Sequence, residues 1–212
     1  MVRIRPYLLP LAAGALLFAS CAPRTNSVLL QPSEALGTVL GEETARIAGS
    51  RKTVTIIAPD ANWGAASTVE QAFKTSLKKQ GLTVVTAKAA NLGDPMRRGQ
   101  LGLKAADFLN ALEQSAGAAV VVSLAGPPVL GPNDAARVPA QHPPVLVVAT
   151  SSLGNVPGLG ADQAQLARLL DAGIIQFAII DGASEPAPSS AATMDAPHQL
   201  FSQNYRILHR PD

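Results

Sequence analysis

Thr53-Val54-Thr55-Ile56-Ile57-Ala58-Pro59-Asp60-Ala61-Asn62-Trp63-Gly64 is the stretch that decides the fold. Its first five residues are all β-branched, and such side chains fit a pleated strand better than a helix. Ile56 and Ile57 side by side leave no solvent face, so the strand is predicted to be buried on both sides. Pro59 ends it. Downstream, Ser67-Thr68-Val69-Glu70 has the form of a capping box, with Ser67 as N-cap and Glu70 reaching back. Val69, Ala72, Phe73 and Leu77 follow at helical spacing. Gly81 stands where a helix end favours a left-handed residue, and Leu82–Thr86 reads as the next strand.

The unit recurs along the chain. Leu101, Ala105, Phe108, Leu109 and Leu112 mark a second amphipathic helix, closing near Gly117. Residues 118–124, centred on Val120-Val121-Val122, give a third strand, and Val145–Ala149 a fourth. Asp162 caps a third helix carrying Leu166, Leu169 and Leu170, with Gly173 closing it, and Ile174–Ile180 is a fifth strand. Buried strands alternating with amphipathic helices predict an α/β fold: a doubly wound, mainly parallel sheet of about five strands, with helices on both faces in three layers. This domain is expected over 51–182.

Other segments break the rhythm. Residues 126–144 hold Pro127, Pro128, Pro132, Pro139, Pro143 and Pro144, which predicts neither helix nor central strand. Residues 183–212 read as an Ala/Ser/Pro-rich linker over 183–197 and a tail. The tail, Leu200–Leu208, would add an edge strand. Ahead of the domain, 21–50 reads as a tether (22–31) and a helix opened by Pro32-Ser33-Glu34. Ala35, Leu36, Val39, Leu40, Ala45 and Ile47 give that helix its apolar face, Gly37 and Gly41 weaken it, and Gly49-Ser50 ends it.

Residues 1–20 have the form of an export signal. Arg3 and Arg5 give a basic start, and the apolar run to Phe18 is too short, and too broken by Pro10, for a membrane span. Leu17-Phe18-Ala19-Ser20-Cys21 resembles a bacterial lipobox, with Phe18 in place of the usual Leu. The resemblance implies cleavage before Cys21 and acylation of its thiol and new amino group by fatty acids such as palmitate, which anchors the chain to a membrane. An ordinary signal peptide is the alternative, but it leaves the lone cysteine without a use. Ala22, rather than Asp, follows the cysteine. By resemblance to enteric-type sorting this implies the outer membrane, facing the periplasm, where the host has one.

The segment Val54–Gly64, the amphipathic helix after it, Gly81 and Leu82-Thr83-Val84-Val85 together resemble one lobe of a type 1 periplasmic binding protein of the branched-chain amino-acid class. In that family a strand ending near Asp-x-x-(aromatic)-Gly feeds a helix, then Gly and another strand. A further helix and strand follow, as Phe108 to Leu124 do here. The resemblance spans residues 53–180 and implies a Rossmann-like fold and binding of a small ligand. It departs in one respect: the family closes two lobes on its ligand, and this sequence has room for about one. The family's ligand residues are therefore not carried over.

Doubly wound sheets bind ligands beyond the carboxyl ends of their strands, near the point where strand order reverses. The candidates there are Asp60, Asn62 and Trp63 after the first strand, Ser123 at the end of the third, and Ser151 and Ser152 after the fourth. Trp63 offers a ring to stack on a ligand and Asp60 a carboxylate to accept a hydrogen bond. The alternative is an Asx-type turn at Asp60 and Asn62 with Trp63 packed over the sheet edge.

Composition removes several function classes. Without Arg3 and Arg5, 15 basic residues face 15 acidic ones, which gives nucleic acid no basic surface to displace counterions. A single cysteine allows no internal disulfide, and His142, His198 and His209 lack metal-ligand spacing, which argues against structural zinc. Asp60, Asp94, Asp134 and Asp181 near strand ends leave a divalent metal open, but no metal and no cofactor are assigned. There is no Gly-x-Ser-x-Gly elbow, and the glycines of 154–160 fit neither a P-loop nor a dinucleotide fingerprint. The leading reading is a non-catalytic cell-envelope lipoprotein whose domain binds a small ligand or an envelope protein. The alternatives are a hydrolytic envelope enzyme using strand-end carboxylates and serines, and a purely structural lipoprotein.

Overall fold

A computed structural model of the chain describes residues 27–59, 64–86, 103–153, 163–182 and 195–210. Six strands form one sheet: β1 (Thr53–Ile57), β2 (Thr83–Thr86), β4 (Val120–Ser123), β6 (Val145–Ala149), β7 (Phe177–Asp181) and β8 (Tyr205–His209). Their order is β2-β1-β4-β6-β7-β8. All neighbours are parallel except β7 and β8, which pair antiparallel with Asp181 opposite Tyr205. The sheet is thus mainly parallel and doubly wound, with the predicted edge strand as its sixth member. Two short strands, β3 (Leu103–Lys104) and β5 (Pro128–Val129), pair in parallel outside it.

The period of two along each strand divides the core. Val54, Ile56, Val120, Val122, Leu146, Val148 and Phe177 face one helical layer; Ile57, Val121, Val145, Val147 and Ala178 face the other. The first layer is built from α1 (Ser27–Ala48), α2 (Gly64–Lys79) and α6 (Ala196–Asn204). The second is built from α3 (Ala105–Gln114) and α5 (Gln163–Asp171), with the one-turn helix α4 (Pro132–Ala135) beside them. The chain steps from β1 outward to β2, then back across to β4. Right-handed crossovers therefore send α2 and α3 to opposite faces. β4 and β6 are buried along their whole length, as the valine runs require.

Several elements depart from the sequence reading. α2 starts at Gly64, so Ser67 lies inside it and is not its N-cap; Glu70 pairs instead with Lys74, one turn on. α1 runs from Ser27 through Pro32, so residues 27–31 are helical where a tether was expected. It also passes straight through Gly37 and Gly41. A Cβ on Gly37 would stand 2.4 Å from the Val69 carbonyl and 2.8 Å from the Phe73 amide nitrogen; one on Gly41 would stand 2.5 Å from Ser76. The two glycines are the places where α1 touches α2, and tertiary packing outweighs their poor helix propensity.

The proline-rich segment holds α4, with Pro132 opening its first turn, where a missing N–H costs nothing. The Asp134 carboxylate accepts the Gly131 N–H at 3.1 Å. The tail is not one strand: α6 fills 196–204 and β8 follows. Asp195, expected in the linker, is the N-cap of α6 and accepts the His198 N–H at 3.1 Å. The His198 contact holds the Asp195 carboxyl below its ordinary value. Leu36 and Leu40 of α1, Phe201 of α6 and Tyr205 of β8 share one core with β1 and β4. The packed unit thus takes in residues on both sides of 51–182. Gly81 and Gly173 end their helices at φ of +72° and +69°, as read.

Candidate functional site at the carboxyl edge of the sheet

Counting only the strands of the main sheet, its order is 2-1-3-4-5 followed by an antiparallel edge, and the reversal falls between β1 and β4. Such an order places a ligand crevice beyond the carboxyl ends of those two strands. Asp60, Asn62 and Trp63 follow β1 in the sequence and lie outside the described residues, as do Cys21 and Asp162. What remains of the edge is the end of β4, the end of β6, and the β7–β8 corner.

Ser123 ends β4 and is fully buried. Its Oγ donates to the Gly126 carbonyl at 2.7 Å, which folds the chain into a tight turn with Gly126 at φ +83°. The hydroxyl shapes the loop. Ser151 opens a single 3₁₀ turn, 151–153, and its backbone N–H donates to Asp181 Oδ2 at 2.7 Å. Ser152 Oγ is hydrogen-bonded to Tyr205 OH at 2.8 Å. The structure therefore brings Ser151 and Ser152 to one corner with Asp181 and Tyr205. Ser123 lies two strands inward from Asp181, across β6.

Burial pushes the Tyr205 phenol above its ordinary value; the bond with Ser152 acts the other way and the Asp181 carboxylate adds to the rise. A raised phenol leaves stability whole below pH about 10. Above that the unfolded chain releases the proton first, and stability falls as pH rises. Urea titrations at pH 8 and pH 10.5 should show this extra loss in the wild type and not in Tyr205→Phe. At pH 8 that variant should cost about 0.5–1.5 kcal/mol for the lost hydrogen bond.

Thr150, immediately after β6, is buried, and its Oγ1 is shielded from solvent with no hydrogen-bond partner among the described residues. A buried hydroxyl left unpaired costs about 1–3 kcal/mol. The sequence marks the neighbouring serines as candidates and carries no signal that singles out Thr150. No cysteine or histidine of the described residues stands with these groups, and no three His, Cys, Asp or Glu side chains among them gather into a metal site. His142 lies at the other end of the sheet. With Arg51, Ala119 and Pro144, which precede their strands, it lines a hollow of about 550 Å³, and its Nδ1 is bonded to the Pro143 carbonyl.

Fold and edge together define a doubly wound α/β protein of three layers, with the 2-1-3-4-5 strand order of flavodoxin-like sheets. No family model matches the sequence, and no curated protein matches it. The solved structures to which the chain is similar include periplasmic solute-binding proteins of ABC transporters. One, from Agrobacterium vitis with bound alpha-D-tagatopyranose, is 19% identical with a TM-score of 0.49, over 84% of this chain and 56% of its own. A periplasmic ribose ABC transporter protein from Conexibacter woesei is 15% identical with a TM-score of 0.44, over 70% of this chain and 45% of its own. A substrate-binding protein from Desulfitobacterium hafniense in complex with Leu is also 15% identical, with a TM-score of 0.39 over 80% and 41%. The chain spans about half the length of these structures. The likeness to periplasmic binding proteins is one of fold.

Proposed function

We propose that the protein is a non-catalytic, lipid-anchored binding protein of the cell envelope, holding a small solute at the carboxyl edge of its sheet. The observation that carries this reading is the reversal of strand order between β1 and β4, which puts a ligand crevice beyond the carboxyl ends of those strands. The three serines weigh against catalysis, since Ser123 and Ser152 are bound to Gly126 and Tyr205, and Ser151 stands on a carboxylate through its backbone. None is paired with a histidine base, as an activated nucleophile would be. Asp60, Asn62 and Trp63 complete the site from the β1 loop. Cys21 carries the acyl chains, and the chain faces the periplasm from the outer membrane where the host has one. No helix of the described residues is long and apolar enough to cross a membrane.

Two measurements test the parts separately. Cys21→Ala should move the protein from the membrane to the soluble fraction and abolish labelling by a tagged fatty acid; an unlabelled wild type contradicts the anchor. Thermal unfolding in the presence of sugars, amino acids, nucleotides and peptidoglycan fragments should find one class that raises the midpoint with concentration. Turnover of that compound would instead make the chain an enzyme.

A further inference from the structure

A second hollow lies away from the carboxyl edge. It lies between α5 and the turn that joins β5 to α4, and has a volume of about 420 Å³. Val129, Leu130, Pro132, Ala135, Leu169 and Ile174 make its walls apolar. The walls are fixed to each other and not merely adjacent. Gln165 Nε2 of α5 donates to the Pro128 carbonyl at 2.8 Å, and Asp134 ties Gly131 into the α4 turn. Arg168 stands at the rim. Its Nε donates to the Ala164 carbonyl at 3.2 Å, which orients the guanidinium and leaves its two terminal nitrogens. Asp134 of α4 is engaged by Gly131 and Arg137, and no carboxylate of the described residues pairs with Arg168.

We propose that this groove binds a small apolar carboxylate, its chain against the α4–α5 walls and its carboxylate on Arg168. The charge is complementary, because a guanidinium presents parallel donors that match a carboxylate fork. Size selects a small molecule over a protein: the hollow falls within the range of about 300–1,000 Å³ typical of small-ligand clefts. A stable protein interface needs about 800 Å² from each partner.

The test is calorimetric titration of the full chain with octanoate, octylamine and octan-1-ol. Octanoate should bind saturably, and octylamine at least about tenfold more weakly, since its charge meets Arg168. Arg168→Gln is on an exposed face and keeps the fold; it should lower octanoate affinity about tenfold and abolish the discrimination. Ala135→Trp, filling the groove, should weaken octanoate and octanol alike. No saturation by octanoate up to about 5 mM, a range that captures even weak binding, overturns the proposal. So does equal binding of octylamine, or octanoate affinity unchanged in Arg168→Gln.

Discussion

Gly37→Ala should destabilise the protein by about 1–3 kcal/mol or more, as overpacking does. The sign is the informative part. In an exposed helix the same change would stabilise by roughly 1 kcal/mol, because alanine is the better helix former. Here the added methyl meets the Val69 carbonyl and the Phe73 amide of α2 at distances no real Cβ tolerates, and backbone atoms cannot swing aside as a flexible side chain can. α1 would have to lift off α2, withdrawing Leu36 and Leu40, both fully buried, from the core. Denaturant unfolding of the variant and of Ser50→Ala, on an exposed turn, checks it. A midpoint that rises for Gly37→Ala would show that α1 does not lie on α2 as described.

Phe73→Ala should cost more, about 3–5 kcal/mol, through lost burial and the cavity left behind. Phe73 is fully buried in the core between the sheet and the α1–α2 layer. Its neighbours cannot collapse into the space, because the glycine contacts already hold α1 as close to α2 as backbones allow. Equilibrium unfolding in urea measures it; a loss under about 1 kcal/mol would place Phe73 outside a packed core.

How far the fold was legible follows from the range of the interactions. The strand Val145–Ala149 was read to the residue, since five apolar side chains in a row admit little else. α2, α3 and α5 were found from their apolar spacing, with ends displaced by a few residues. α1 was underrated because Gly37 and Gly41 read as weakness when α2 is not in view; i,i+4 spacing places them on one face, where close approach needs them. The start of α6 carried a local signal, Asp195 followed by Pro197, which the Ala/Ser/Pro composition of 183–197 obscured.

At the edge, the carboxyl ends of the strands lie within about one residue of their expected places, whereas the sequence assigns the serines there no partners. Ser151 meets a residue 30 positions on, and Ser152 one 53 positions on. The first pairing arises from β6 lying parallel beside β7 and the second from the antiparallel return of β8, and no local pattern specifies either. The role of Tyr205, as the partner of Ser152, is a product of that topology, whereas Ser123 fastens its loop locally, to Gly126 three residues on.

The most direct test of solute binding at the carboxyl edge reads Trp63, the only tryptophan of the chain. The compound that raises the thermal midpoint should shift Trp63 emission along the same saturation curve. Trp63→Ala should weaken binding a few-fold, the loss of about 1 kcal/mol of aromatic contact, and Asp60→Asn should weaken it further if the solute brings a donor or a cation. A solute that saturates the protein while Trp63 emission stays constant, and that binds Trp63→Ala as tightly as the wild type, would contradict the account.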